Sequence, residues 1–129
     1  PQSASLAFGG NIIPVNTSTT STEEYDGTSW TAGGALNTGR FGLGGGGTQT
    51  AAIAMTGSNS PPQTQVTNNE LYDGTSWTNT TANATGRVQV AGGGTSTAGI
   101  VFAGSVGPIT NATEEFTGAA LGTKTVTTS

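Results

Sequence analysis

The sequence predicts an all-β protein built from repeated four-stranded units. Three observations carry that prediction. Thr occurs 26 times and Gly 22 times in 129 residues, a composition poor for helices and suited to strands and turns. No window places apolar residues at i, i+3, i+4 and i+7, so no amphipathic helix is expected. The heptapeptide YDGTSWT stands at 25–31 and returns unchanged at 72–78. A motif that recurs in this way marks repeated architecture, because one active site needs one nucleophile or base.

The two copies lie 47 residues apart, and the register extends well beyond them. Glu23 falls on Glu70, Gly39-Arg40 on Gly86-Arg87, and GGGG (44–47) on AGGG (91–94). QSASLAFGG (2–10) falls on QTAAIAMTG (49–57), and that on STAGIVFAG (96–104). In a third copy EEF (114–116) matches ELY (70–72) after a three-residue deletion, and Leu121 then takes the place of Trp77. The chain reads as one domain of repeats 1–47, 48–94 and a shortened 95–129.

Each repeat is expected to supply four strands. The first is GRFGL or GRVQV, closed by a glycine run read as a tight connection. The second is SLAF, AIAM or GIVF, ending at Gly10, Gly57 or Gly104. A polar loop leads to the third, TEEY, NELY or TEEF. Asp-Gly then predicts a hairpin turn, since both residues tolerate positive φ, and TSWT follows as the fourth. Four strands in about 40–50 residues is the period of a β-propeller blade.

An apolar strand ending in a Gly doublet (LAFGG), followed by Tyr and then Trp (YDGTSW), resembles the kelch repeat. The resemblance spans nearly the whole chain and is strongest in repeat 1. The low-charge Gly/Thr/Asn style is also similar to kelch-like repeats of phage and metagenomic proteins. Kinship would imply four-stranded blades around a channel. Three blades cannot close a ring, since known propellers use roughly four to eight. Two chains are therefore expected to form a six-bladed homodimer, with the terminal TKTVTTS crossing to supply the partner's missing strand.

Composition excludes several function classes. Without Cys or His, the chain lacks thiolate chemistry and the commonest general base and metal ligand. No cofactor or metal site is expected, and the copper chemistry known on kelch-type blades does not carry over. A formal net charge of −4 with only Arg40, Arg87 and Lys124 as cations argues against nucleic acid. No apolar run approaches the roughly 20 residues that span a membrane.

Every repeated polar group has a structural reading. Trp30, Trp77, Tyr25 and Tyr72 are expected to pack between blades. Phe116 at the tyrosine position implies that the hydroxyl is dispensable there. Glu23, Glu70 and Glu114 are expected to pair with Arg40 and Arg87 as one ion pair per blade, because catalysis needs differently tuned carboxylates rather than copies. Glu24 and Glu115 align with Leu71, so no common role is assigned to them. The loops that differ between repeats lie after strands two and four and would share one Asn-, Gln- and Thr-rich face. Asn59, Gln63, Asn79 and Asn83 are the candidate ligand-binding residues. The expected function is a non-enzymatic structural or adhesive propeller on a virion or extracellular surface. The alternative is a carbohydrate-binding module, with a glycan as partner.

Overall fold

A computed structural model describes residues 3–118 and 124–126. Among these residues there is no helix, and the strands form three principal antiparallel sheets and two small hairpins. In the first sheet β1 (Ser5–Phe8) pairs with β4 (Thr22–Tyr25), which pairs with β5 (Trp30–Ala32). The hairpin of β2 (Asn11–Ile12) and β3 (Thr17–Ser18) is inserted between β1 and β4. The second sheet runs β6 (Gly44–Thr48), β7 (Ala51–Met55), β10 (Asn69–Tyr72) and β11 (Trp77–Thr80) as a simple meander. It carries the hairpin of β8 (Ser58–Asn59) and β9 (Thr64–Gln65) in the same place. The third sheet repeats the order with β12 (Ala91–Thr95), β13 (Ala98–Phe102), β14 (Thr113–Phe116) and β15 (Lys124–Val126).

The sheets recur along the chain as the repeats do, with β6 and β12 running across the repeat boundaries at 47/48 and 94/95, and three details differ from the sequence reading. The first strand of each complete sheet is the glycine run itself, Gly44–Thr48 or Ala91–Thr95. GRFGL and GRVQV are irregular connectors whose β pairing with the next hairpin is the isolated bridges Phe41↔Ser58 and Val88↔Ser105. The reason is steric. A Cβ on Gly46 would lie 2.8 Å from the carbonyl carbon of Gly93, and one on Gly92 would lie 2.9 Å from the Cα of Gly44. Strands β6 and β12 approach backbone to backbone, which only glycine allows.

The Asp-Gly hairpin is also longer than expected. Tyr72 pairs directly with Trp77, so the turn is the four residues Asp73–Ser76 and the fourth strand begins at Trp. Only the glycine of the pair takes positive φ, 99° at Gly27 and 92° at Gly74. Lys124–Val126 does not leave its chain: it pairs with Thr113–Glu115 as the outer strand of the third sheet. Leu121, matched to Trp77 by sequence, lies outside the described residues.

Two cores lie between the sheets. Successive side chains of a strand point to opposite faces, and β7 uses both of its faces. Ala52 and Ala54 join Leu36, Tyr72 and Trp77 against Leu6 and Phe8 of the first sheet. Ile53 and Met55 join Val101 and Phe116 of the third sheet, with Leu71 packed alongside. The second sheet is therefore covered on both faces, while each outer sheet is covered on one.

Candidate functional site

Two of the three repeated carboxylates, Glu70 and Glu114, are buried. Glu70, fully buried, accepts hydrogen bonds from the backbone N–H of Asn37 at 2.7 Å and of Thr38 at 3.2 Å. Its Oε1 meets Arg40 Nη2 at 3.0 Å. Glu114 repeats the arrangement with the N–H groups of Ala84 (2.9 Å) and Thr85 (3.2 Å) and with Arg87 at 3.4 Å. Both arginines are fully buried and donate to carbonyl oxygens as well, Arg40 to Thr56 and Asn68, Arg87 to Ala103 and Ala112. Burial pulls the Arg40 pKa down and the Glu70 charge opposes the shift. These groups tie the incoming connector to the third strand and are closed off from solvent.

The third member of the series differs. Glu23 is exposed, and no ion pair joins it to an arginine among the described residues. In the other two sheets the arginine stands on the connector ahead of the glycine strand, and among the described residues the first sheet consists of β1, β4 and β5. The expected pairing thus holds for Glu70 and Glu114 and not for Glu23.

At the junction of the first two sheets, Trp77 is 5% exposed and packs edge-on against Phe8 with ring centres 4.9 Å apart. Its indole N–H donates to Thr22 Oγ1 at 2.9 Å. The Tyr72 hydroxyl donates to the Glu24 carboxylate, and the N–H of Gly34 donates to that hydroxyl at 3.4 Å. Burial raises the Tyr72 pKa, and the hydrogen bond to Glu24 adds to the rise. The tyrosine hydroxyl is therefore a bonded group at this junction. Sequence reasoning missed Glu24, yet the signal was present: Glu24 meets Tyr72, whereas Leu71, its counterpart, packs beside Phe116. Acceptor and donor change together across neighbouring repeats.

Trp30 departs from expectation in the same way as Glu23. It stacks on Tyr25 at 5.1 Å but is 51% exposed, because no sheet covers that face.

The four candidate ligand residues differ in element and exposure. Gln63 is exposed and Asn59 half-buried, both on the β8–β9 hairpin. Asn79 lies exposed on the outer strand β11. Asn83 is buried and accepts a 2.6 Å hydrogen bond from Asn69 Nδ2. The loops after the fourth strands are therefore structural: Leu36, at the position matching Asn83, is buried in the first core. The hairpins after the second strands remain as the variable feature. They expose Ile13 and Ile109 at 81% and 89%, besides Ile12, Val15 and Val106, which makes this face more apolar than its composition implied. The first two hairpins are laced together, Ser18 N–H donating to the Ser60 carbonyl at 3.1 Å and Ser60 Oγ to the Asn16 carbonyl at 2.7 Å.

A cavity of about 540 Å³ opens beside the free edge of β1, lined by Leu6, Phe8, Gly46, Thr48 and Ala52. It lies where a glycine strand flanks β7 and β13 in the other two sheets.

No family model matches the chain, and no curated protein matches it. Among solved structures, that of YjhT is similar in fold, with a TM-score of 0.77 at 13% identity over 97% of this chain. The chain spans 43% of the length of that protein. The likeness establishes the all-β fold.

Proposed function

We propose that the chain is a non-enzymatic, kelch-like β-propeller segment of three blades, completed to a six-bladed ring by a second copy, that serves as a structural or adhesive scaffold at a virion or extracellular surface. One observation carries this reading: the recurring ionisable groups that are buried, Glu70, Glu114, Arg40 and Arg87, are engaged with one another and with backbone groups inside the protein. The parts that vary are the hairpins, displayed on a framework whose first two members are hydrogen-bonded to each other. Variable loops on a rigid scaffold suit recognition. Exposed Ile12, Ile13 and Ile109 at their tips suit contact with a protein surface better than with a sugar.

A glycan array probed with the purified chain tests the reading. The expected result is no retention across the array. Selective binding to one glycan class, abolished by Asn59→Ala together with Gln63→Ala, would replace the scaffold with the carbohydrate-binding alternative.

A further inference from the structure

The two outer faces of the chain carry the two halves of a junction that the molecule already contains. At the junction between the first and second sheets, one side presents Leu6 and Phe8 with Thr22 and Glu24. The other side presents Ala52, Ala54, Tyr72 and Trp77. Thr22 accepts from Trp77, and Glu24 accepts from Tyr72.

Both sets recur where no other sheet covers them among the described residues. Ile100, Phe102, Thr113 and Glu115 stand on the third sheet at the positions of Leu6, Phe8, Thr22 and Glu24. Phe102 is 41% exposed, and Ile100 and Glu115 are half-buried. On the first sheet, Tyr25 and Trp30 stand at the positions of Tyr72 and Trp77, with Ser5 and Ala7 in place of the two alanines. Trp30 and Ala7 are exposed there. The choice of side chains is informative, because the chain also contains a second kind of junction. Where the tyrosine is Phe116, the matching residue is Leu71. The uncovered faces carry Tyr25 and Glu115, the hydrogen-bonding combination, rather than Tyr with Leu or Phe with Glu.

We propose that the uncovered face of the first sheet docks on the third sheet of a second copy, the Tyr25 hydroxyl donating to Glu115 and the Trp30 indole N–H to Thr113 Oγ1 across the junction. The contact is heterologous, and two copies close it by burying both faces of each chain. This assignment rests on the two-copy ring proposed above and specifies which residues meet.

Light scattering and sedimentation of the whole chain at micromolar to millimolar concentration test it. The wild type is expected at twice the 12.6 kDa chain mass. Glu115→Leu strands the Tyr25 hydroxyl and Tyr25→Phe strands the Glu115 carboxylate, so each alone should weaken association by at least about tenfold. An equimolar mixture of the two variants should recover it, because one junction then pairs Tyr with Glu and the other Phe with Leu. Neither residue is buried within its own chain, and far-UV circular dichroism of each variant should match the wild type. Glu115→Gln, which keeps an acceptor, controls for loss of fold and should retain most of the affinity. A wild-type dimer indifferent to every variant would overturn the assigned faces and leave the ring standing. A wild type that stays at 12.6 kDa throughout would overturn both.

Discussion

The two copies of YDGTSWT have the same sequence and nearly the same local geometry, yet they occupy opposite environments. In each, the aspartate Oδ1 accepts from the two N–H groups that follow the glycine, at 2.8 and 2.9 Å from Asp26 and 2.8 Å for both from Asp73. Tyr25 and Trp30 lie 5.1 Å apart at 34°, Tyr72 and Trp77 4.9 Å apart at 33°. But Trp30 is 51% exposed and Trp77 5%. Conformation is thus encoded within the heptapeptide, whereas burial depends on whether another sheet faces it. The first copy lacks a neighbour that the second possesses.

The largest expected effect breaks the comparison at its tryptophans. Trp77→Ala removes the indole from the first core and its hydrogen bond to Thr22, and should lower the unfolding free energy by about 3–5 kcal/mol. Trp30→Ala loses only the stacking on Tyr25, and should cost no more than about 1 kcal/mol in the dilute, dissociated chain. Urea titrations of both variants at low protein concentration measure the difference. Equal losses would mean that Trp30 is covered within a single chain.

How much of this was legible in the sequence follows from the same distinction. The 47-residue register made the second and third strands and the hairpin after the tyrosine legible, because hairpins and alternation are local signals. Ala52, Ile53, Ala54 and Met55 were readable as a strand, and their total burial follows from sheets on both sides. The glycine strands were not legible. Without side chains Gly44–Gly47 has no alternation to read, and its role appears only when Gly46 is seen against Gly93. The burial of Asn83 was not legible, because its partner, Asn69, lies 14 positions away on another element. The Tyr72–Glu24 contact, between residues 48 apart, could have been found by comparing neighbouring repeats in pairs rather than aligning them position by position.

A second break concerns the glutamates. Glu70→Ala leaves Arg40 buried without its counter-charge, and Arg87→Ala does the same to Glu114. Removing one partner of a buried pair costs about 3–5 kcal/mol, and the lost N–H acceptor at Asn37 and Thr38 keeps Glu70→Ala in that range. Glu23→Ala, at the matching exposed position, should stay within about 0.5 kcal/mol. Thermal melts of the three variants separate a buried internal pair from an unpaired copy of it.

The smallest effect sharpens the comparison by showing where the copies agree. Backbone donors lower the carboxyl pKa of both turn aspartates below 3.8, chiefly Ser29 for Asp26 and Ser76 for Asp73. A folded-state pKa below the unfolded value contributes stability above the unfolded pKa, and this is lost as pH falls through the folded one. Asp26→Ala and Asp73→Ala should therefore lower the melting temperature at neutral pH by small and equal amounts. For both, the deficit relative to wild type should shrink as the pH is taken below about 3.8. Equality is expected because each carboxylate is fully exposed and its donors lie within its own turn. An effect confined to Asp73→Ala would show that the neighbouring sheet shapes the turn as well as the burial, and that the heptapeptide does not fold by its own sequence alone.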